Sequence, residues 1–355
     1  MVSRRKFLRN MGLGIVSSTA ALYGCKPGSN AVETPADEPP APRSTPSMLP
    51  TQSFTSTPSP TTAAKTSPAA LVRTRHDGVW KGEALSREDL LQMLDTSITS
   101  LTGIQDAGQA WKSFFKPGER VAIKVNAMTN GAVHAPLVIA VTQRLQDIGI
   151  AAEQITIYDR TTGELKNAGF PVNRTGNGVR CYSSDNDFAE AGEVATMPVY
   201  LNRPLMECDA LINMAILKGF TYGGISFAMK NHYGSVNSPH RFHDPHFTEG
   251  ICGLNALPQI KDRTRLVIGD VLTPETALDS TDYVMLGGQN TILMSRDPVA
   301  FDAVGLEMVC AGLGSLKGAN TKAIQHQARE WLKTAQELGL GISDMQQIEI
   351  RDNTL

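Results

Sequence analysis

The sequence predicts an α/β fold with a mainly parallel sheet flanked by helices. Short apolar runs rich in β-branched residues alternate with stretches of helical periodicity through residues 71–355. This alternation is typical of strand–helix–strand units, in which helices cover a parallel sheet. The segment is long enough for one large core or for two closely joined lobes.

The elements can be assigned in chain order from local signals. Residues 86–89 (Ser-Arg-Glu-Asp) have the form of a capping box, which predicts a helix through about Thr99. Asp297 followed by Pro298 is typical of a helix N-cap with proline at the first helical position. The remaining elements are helices at 135–148 and 321–338, strands at 121–125, 154–158, 210–216, 265–269 and 291–294, and an edge strand at 347–350.

Several predicted strands end in polar residues. Lys124 and Asn126 lie at the end of the first strand, and the following strands lead to Asp159, Lys218 and Asp270. In open α/β sheets, ligands bind beyond the carboxyl ends of the strands. If these strands are neighbours, their polar ends meet at one crevice, where they would hold an anionic ligand, exchange protons or hold a metal-bound ligand.

A second polar cluster lies in a segment rich in histidine. It contains Lys230, Asn231, His232, His240, His243 and His246. Imidazole is the commonest protein ligand for transition metals, so the four histidines are candidate metal ligands. The alternative is a surface loop with ordinary histidines, since their spacing matches no hydrolase motif.

The N-terminal segment has the features of an export signal. Residues 3–9 (Ser-Arg-Arg-Lys-Phe-Leu-Arg) resemble the twin-arginine motif, and the apolar stretch after them is too short to span a bilayer. Residues 22–25 resemble a lipobox, which predicts acylation of Cys25; the alternative is cleavage after Ala20. We therefore expect a signal peptide at 1–25, export by the twin-arginine machinery, and a lipid anchor that holds the protein in the cell envelope.

Residues 26–70 are predicted to be a disordered linker. This segment is rich in proline, serine and threonine and cannot bury enough apolar surface to offset its chain entropy. The whole chain carries 33 Lys and Arg against 35 Asp and Glu, and the signal contributes basic residues only. The globular part is therefore acidic, which disfavours nucleic acid as a partner.

The remaining cysteines argue against an iron–sulfur cluster in this chain. None of them belongs to a C-x-x-C pair, the spacing that such clusters and zinc ribbons use. Cys310 lies in an apolar helical stretch and is predicted to be a core residue. A disulfide among Cys181, Cys208 and Cys252 remains open.

Three groups of residues form a pattern that spans most of the globular part. They are residues 121–126 with the His-x-Pro at 134–136 and Asp159; Lys218 with Gly223, Gly224, 229–231 and Gly234; and the segment from Asp297 to Asp302. Together they resemble the domain-of-unknown-function family numbered 362 over about residues 120–312. The resemblance implies no settled reaction. Some relatives carry a ferredoxin-like iron–sulfur module, and the lack of its cysteines here argues against direct electron transfer.

Two functions follow from these observations. One is an exported, membrane-tethered enzyme of unknown reaction, with a site for a small anionic ligand or a metal ion. The other is a non-catalytic accessory protein that holds a metal or anion for an exported redox partner. The candidate residues are Lys124, Lys218 and Lys230 for catalysis, Asn126, Asn231, Asp159, Asp270 and Asp302 for ligand binding, and His232, His240, His243 and His246 for metal.

Overall fold

One sheet organises the part of the chain that is described in the computed structural model. The described residues are 68–128, 131–220, 223–277, 283–285, 289–313 and 321–355. The predicted signal peptide, Cys25 and nearly all of the predicted linker lie outside these ranges. The described residues form one compact unit rather than two joined lobes.

The described strands are numbered along the chain. They are β1 (Ala69–Arg75), β2 (Trp80–Lys81), β3 (Ala84–Leu85), β4 (Val121–Lys124), β5 (Ile155–Tyr158), β6 (Arg180–Cys181), β7 (Phe188–Val194), β8 (Met197–Asn202), β9 (Ala210–Phe220), β10 (Gly224–Ser226), β11 (Thr264–Ala277), β12 (Tyr283–Met285), β13 (Thr291–Ser295) and β14 (Ile348–Thr354). Ten of them form one sheet in the order β14-β1-β13-β11-β9-β4-β5-β6, with β10 on β9 and β12 on β11.

Most neighbouring strands of this sheet are parallel. Strands β11, β9, β4, β5 and β6 run in one direction, and β13 is antiparallel to both β11 and β1. The sheet is therefore mixed and mainly parallel, which confirms the predicted α/β class. Outside it, β2 with β3 and β7 with β8 form separate antiparallel pairs.

Helices cover both faces of the sheet. They are α1 (Arg87–Thr102), α2 (Ala107–Lys112), α3 (Ala135–Asp147), α4 (Thr162–Asn167), α5 (Arg203–Glu207), α6 (Ala228–Asn231), α7 (Phe247–Ala256), α8 (Pro258–Lys261), α9 (Pro298–Leu313) and α10 (Thr321–Glu337). One core cluster joins the sheet to α1 and α3 through Leu94 and Leu137. A second cluster joins the opposite face to α9 and α10 through Phe301 and Trp331.

The two faces can be followed along β4, in which every residue is buried. Val121 and Ile123 belong to the cluster beneath α1 and α3, whereas Ala122 belongs to the cluster beneath α9. Because side chains alternate along a strand, Lys124 lies on the α9 face. A fully buried strand of this kind is expected at the centre of a parallel sheet.

The predicted helix starts are confirmed. Ser86 accepts a hydrogen bond from the backbone N–H of Asp89 at the start of α1, which ends at Thr102 before Gly103, whose φ is 74°. Asp297 accepts bonds from the backbone N–H groups of residues 299 and 300 at the start of α9. Each cap satisfies N–H groups that have no partner within the helix.

Two strands continue beyond their predicted ends. The prediction ended them at residues 216 and 269, just before Lys218 and Asp270, but β9 runs to Phe220 and β11 to Ala277. Strand β10 pairs with the last residues of β9, and β11 pairs with them on the other side. The polar residues Lys218 and Asp270 therefore lie inside their strands and do not mark strand ends.

Other features were not predicted. Strand β1 begins at Ala69, inside the predicted linker, and the β7–β8 hairpin was missed. The four cysteines of the described residues are free and buried, so no disulfide links them, and Cys310 lies in the core as predicted. Within the described ranges, no helix combines the length and apolar composition that a membrane span requires.

Candidate functional site

A cavity of about 220 Å³ lies at the carboxyl ends of β4, β5 and β9. Its wall includes Asn126 after β4, Asp159 after β5 and Lys218 near the end of β9. The short helix α6 adds Lys230 and Asn231. These strand ends meet where the general rule for α/β sheets places a ligand site.

Lys124 lies directly behind this wall and is fully buried. Its Nζ donates to Asp159 Oδ1 at 2.6 Å, to Asn231 Oδ1 at 3.0 Å and to the Val125 carbonyl at 2.6 Å. These acceptors use all the N–H groups of the ammonium. Burial lowers the pKa of Lys124, and the Asp159 carboxylate opposes that change. Lys124 therefore does not line the cavity; its ion pair holds Asp159 in position at the cavity wall.

Asp159 is held at both of its carboxylate oxygens. While Oδ1 accepts from Lys124, Oδ2 accepts from the backbone N–H of Ala127 at 2.6 Å. The backbone at Gly234 passes so close that a Cβ there would lie 2.1 Å from Asp159 Oδ1 and 2.7 Å from Lys124 Nζ. Only glycine at position 234 leaves room for this ion pair.

A buried polar network joins α6 to β9. Asn231 Nδ2 donates to Asn213 Oδ1 at 2.7 Å and to the Met214 carbonyl at 3.0 Å. Asn213 Nδ2 in turn donates to the Ala228 carbonyl at 2.8 Å and lies 3.3 Å from His232 Nε2. The amide of Asn231 thus reaches both β9 and Lys124, which fixes the helix that carries it.

His232 belongs to this network and not to the cavity wall. Its Nδ1 lies 3.1 Å from Ser235 Oγ, which is 3.2 Å from the Tyr158 hydroxyl. Burial, with a smaller contribution from Lys124, lowers the pKa of His232 to about 3. The ring is therefore neutral at ordinary pH and acts as a hydrogen-bonding core residue.

Asp302 holds the other side of α6. Its Oδ1 accepts from the backbone N–H of Ala228 at 2.7 Å, and its Oδ2 accepts from that of Met229 at 3.0 Å. Burial raises the pKa of Asp302 to about 7, and these two hydrogen bonds oppose the shift. Asp302 does not reach the cavity, so its contact with a ligand would be indirect, through the position of α6.

Further charged groups complete the wall. Lys218 Nζ donates to Asn126 Oδ1 at 3.3 Å and to the Gly131 carbonyl at 3.0 Å. Arg160 and Glu164 also line the cavity and form an ion pair with each other. The side chain of Lys218 is thereby directed across the end of β4 rather than away from the sheet.

Lys230 lies beside Lys218 in an aromatic corner of the site. Its Nζ is 5.9 Å from the ring centroid of Tyr233 and 5.5 Å from that of Phe247. Burial, and after it the positive charge of Lys218, lowers the pKa of Lys230 to about 7. His243 lines the same cavity, and its own pKa is lowered by burial and by Lys230. Lys230 is therefore a titratable group that faces the cavity near neutral pH, whereas the shift of His243 favours its neutral form.

Asp270 lies on the opposite face of the sheet from Lys124. It is fully buried, its Oδ2 lies 2.7 Å from His134 Nδ1, and its Oδ1 accepts from the backbone N–H of Leu272. Its neighbours Ile268 and Leu272 pack beneath α1 and α3, so the alternation of β11 directs Asp270 to that face. The expectation that all the strand-end side chains share one crevice is therefore wrong for Asp270.

The four histidines are not gathered into one group. His243 lines the cavity, His232 is buried behind it, His240 is exposed and His246 precedes α7. Among the described residues, no three or more His, Cys, Asp or Glu side chains lie close enough to hold a metal ion. The expected four-histidine metal site is not formed, because this segment turns repeatedly instead of presenting one face.

Comparison with known protein families identifies the family to which this chain belongs. A family model described as "Domain of unknown function (DUF362)" matches residues 121–307, which is more than half of the chain. The chain belongs to the DUF362 family. In this DUF362 protein the matched residues run from β4 into α9 and so include every cavity residue named above.

One solved structure similar to this DUF362 protein is the lactate racemase apoprotein from Thermoanaerobacterium thermosaccharolyticum. The two chains share 13% sequence identity with a TM-score of 0.29. The match covers 62% of this chain and spans about half of the other, 54% of its length. Comparison with curated proteins gives no match.

Several residues of the candidate site were not predicted from the sequence. Asn213 is a polar residue within an otherwise apolar strand, a signal that could have identified it. Gly234 lies in the family pattern, but only the structure gives the physical reason for it. Arg160, Glu164 and Tyr233 carried no local signal, because loops and short helices bring them to the cavity.

Proposed function

We propose that this DUF362 protein is exported by the twin-arginine route, is tethered to the outer face of a membrane through Cys25, and binds a small anionic ligand in the cavity beside α6. The observation that carries the ligand class is the approach of two lysines at one wall. Lys218 is close enough for its charge to lower the pKa of Lys230. An anion between the two ammonium groups would be attracted by both of them.

The carboxylates of the wall favour an anion over a cation. Asp159 is paired with Lys124 and also accepts the N–H of Ala127, and Glu164 is paired with Arg160. Each lining carboxylate therefore already has a cationic partner within the protein. A metal ion would have to compete with these partners, whereas an anion would not.

The second part of the proposal is that the protein is an enzyme, with Lys230 as its acid–base group. A group with a pKa of about 7 is present in both protonation states at neutral pH, which suits it to proton transfer. An ordinary lysine would be almost wholly protonated. Burial of Lys230 beside the rings of Tyr233 and Phe247 is the main physical cause of this difference.

Thermal unfolding in the presence of small anions tests the binding proposal. Acetate, pyruvate, oxalate and inorganic phosphate would be compared with chloride at equal ionic strength. A ligand at a hundred times its Kd stabilises a protein by about 2.7 kcal/mol. We expect Lys218→Met and Lys230→Met to lose this stabilisation and Lys322→Met, an exposed lysine on α10, to keep it.

Two outcomes would contradict the proposal. Equal stabilisation in all the variants would mean that the anions act non-specifically on the surface. If none of the anions stabilises the wild-type protein, the cavity is not a site for small anions of these classes. Binding without turnover would support the ligand site and favour the non-catalytic accessory function over the enzyme.

A further inference from the structure

The surroundings of Lys230 combine features that make a lysine nucleophilic. The amine lies on a cavity wall, beside the rings of Tyr233 and Phe247 and close to the positive charge of Lys218. Desolvation and a neighbouring cation both favour the neutral amine, and lysines activated in this way attack carbonyl carbons. The arrangement that suits Lys230 for proton transfer therefore also suits it for covalent chemistry.

We infer that Lys230 forms a Schiff base with the carbonyl group of a small oxoacid whose carboxylate is bound by Lys218. This inference rests on the proposed function, because it takes the cavity as an anion site. It adds the substrate class, a carboxylate with a nearby aldehyde or ketone, and the covalent step.

The chemical step balances without any further reactant. The neutral amine of Lys230 attacks the carbonyl carbon, and a C–N bond forms as the carbonyl π bond breaks. A proton then passes from the nitrogen to the oxygen, and the adduct is a carbinolamine. A proton from solvent then converts the hydroxyl group into water, the C–O bond breaks, and an iminium ion remains. No electron is gained or lost, and the reverse reaction with water restores the lysine and the carbonyl compound.

The charges of the site explain why the substrate is an oxoacid rather than a neutral aldehyde. The iminium ion is positive and lies beside Lys218, so the intermediate with a neutral substrate would be repelled by that lysine. A substrate carboxylate at Lys218 neutralises one of the two positive charges. The rings of Tyr233 and Phe247 stabilise the remaining cation through their faces.

The size of the cavity favours a small substrate. Its volume of about 220 Å³ is below the range of about 300–1,000 Å³ that is typical of drug-sized ligands. Glyoxylate and pyruvate, the smallest oxoacids, are therefore suitable probes. Asn126, which already accepts a hydrogen bond from Lys218, would help to orient the carboxylate.

Reductive trapping tests the inference directly. The protein would be incubated with glyoxylate or pyruvate and sodium cyanoborohydride, and the adduct located by peptide mass spectrometry. At pH 7 a lysine of pKa about 7 has about a thousandfold more neutral amine than an ordinary one. We expect the adduct on Lys230 to exceed that on exposed Lys322 by at least about tenfold.

Variants and pH give two further measurements. Lys230→Met and Lys230→Arg should both lose the selective adduct, and the arginine variant keeps the charge if the methionine variant fails to fold. Lys218→Met should lower trapping at low oxoacid concentration, whereas Lys322→Met should not. For the wild type, the yield at Lys230 should rise through about pH 7 and then level off.

The outcomes separate this inference from the proposed function. If pyruvate stabilises the protein in a Lys218-dependent manner but the adduct at Lys230 is no greater than at Lys322, the Schiff base is wrong and the anion site stands. If neither stabilisation nor selective trapping is observed, both are wrong. Selective trapping that survives Lys218→Met unchanged would overturn the assignment of Lys218 to the carboxylate.

Discussion

Gly234 shows how a single backbone position controls the centre of the site. A Cβ at this residue would meet Asp159 Oδ1 at 2.1 Å and Lys124 Nζ at 2.7 Å. We therefore predict that Gly234→Ala lowers the free energy of unfolding by about 2–4 kcal/mol, because it overpacks a buried ion pair and displaces one of its members. Urea unfolding measures the change.

The matched control for Gly234→Ala is Gly163→Ala in α4. Nothing lies within 4 Å of a Cβ built at Gly163. An alanine there should change stability by less than about 1 kcal/mol, and in the stabilising direction, because alanine restricts the unfolded chain. Equal effects of the two substitutions would show that the Lys124–Asp159 pair tolerates a methyl group and is not rigidly held.

The coupling of the two cavity lysines gives a second prediction at this scale. Lys218→Met removes the positive charge that helps to lower the pKa of Lys230, so this pKa should rise from about 7. It should remain below its usual value of about 10.4, because burial is the larger cause and is unchanged. NMR of ¹³C-methylated lysines against pH measures the shift, with Lys230→Arg assigning the signal and Lys322→Met as control. An unchanged pKa in Lys218→Met would show that the two lysines act independently.

At the scale of elements, two aspartates illustrate different uses of a helix cap. Asp297 precedes α9 and caps it, whereas Asp302 lies within α9 and caps the neighbouring helix α6. Asp297→Ala should reduce stability by about 1 kcal/mol and leave anion affinity unchanged. Asp302→Ala leaves two buried N–H groups without a partner, each worth about 1–3 kcal/mol, and should also weaken anion binding, because α6 carries Lys230.

Melting temperature and the Kd for the anion that stabilises the wild type would be compared for both alanine variants. Asp302→Asn is the milder variant, since an amide keeps one acceptor oxygen, and its losses should be intermediate. If both alanine variants lose stability while their affinities match that of the wild type, Asp302 has no influence on the site. The expectation that Asp302 affects the ligand would then be wrong even in its indirect form.

The elements also show what the sequence could and could not predict. Local signals identified α1 and α9 because caps act within a few residues, and the apolar runs of β4 and β5 were predicted correctly within two residues. The extensions of β9 and β11 were missed for two reasons: the tight hairpin between β9 and β10 was not predicted, and the β9–β11 pairing joins residues that lie far apart in the chain. The role of Asp302 was also out of reach, since it depends on the packing of α9 against α6.

At the scale of the whole molecule, the sheet determines which predicted residues reach one place. The strand-end rule correctly brought Asn126, Asp159 and Lys218 together, because it depends only on parallel neighbours. It does not state which face a side chain takes. Asp270 lies on the α3 face and His232 within the core, and neither position follows without the strand order and the packing of both layers.

The proposed export concerns the whole chain and depends on the arginine pair. We predict that Arg4→Lys combined with Arg5→Lys leaves the protein in the cytoplasm as an uncut precursor, because the pair is what the export machinery reads. Arg9→Lys is the matched control, since it makes the same chemical change outside the pair and should leave export intact. Immunoblots of cytoplasmic and envelope fractions measure both. Continued export of the double variant would show that another route is used.

The membrane tether is a separate prediction, because export and anchoring depend on different residues. Cys25→Ala removes the thiol that would be acylated, so the variant should either be released from the membrane or remain uncut. Acyl chains contribute about 0.8 kcal/mol of membrane binding per buried CH₂, so losing them should weaken the attachment strongly. The fold should be unaffected, which an unchanged melting temperature of the globular part would establish. Membrane fractionation together with metabolic labelling by a fatty acid analogue measures the anchor, and a processed Cys25→Ala protein that still sediments with membranes would show that the lipid assignment is wrong.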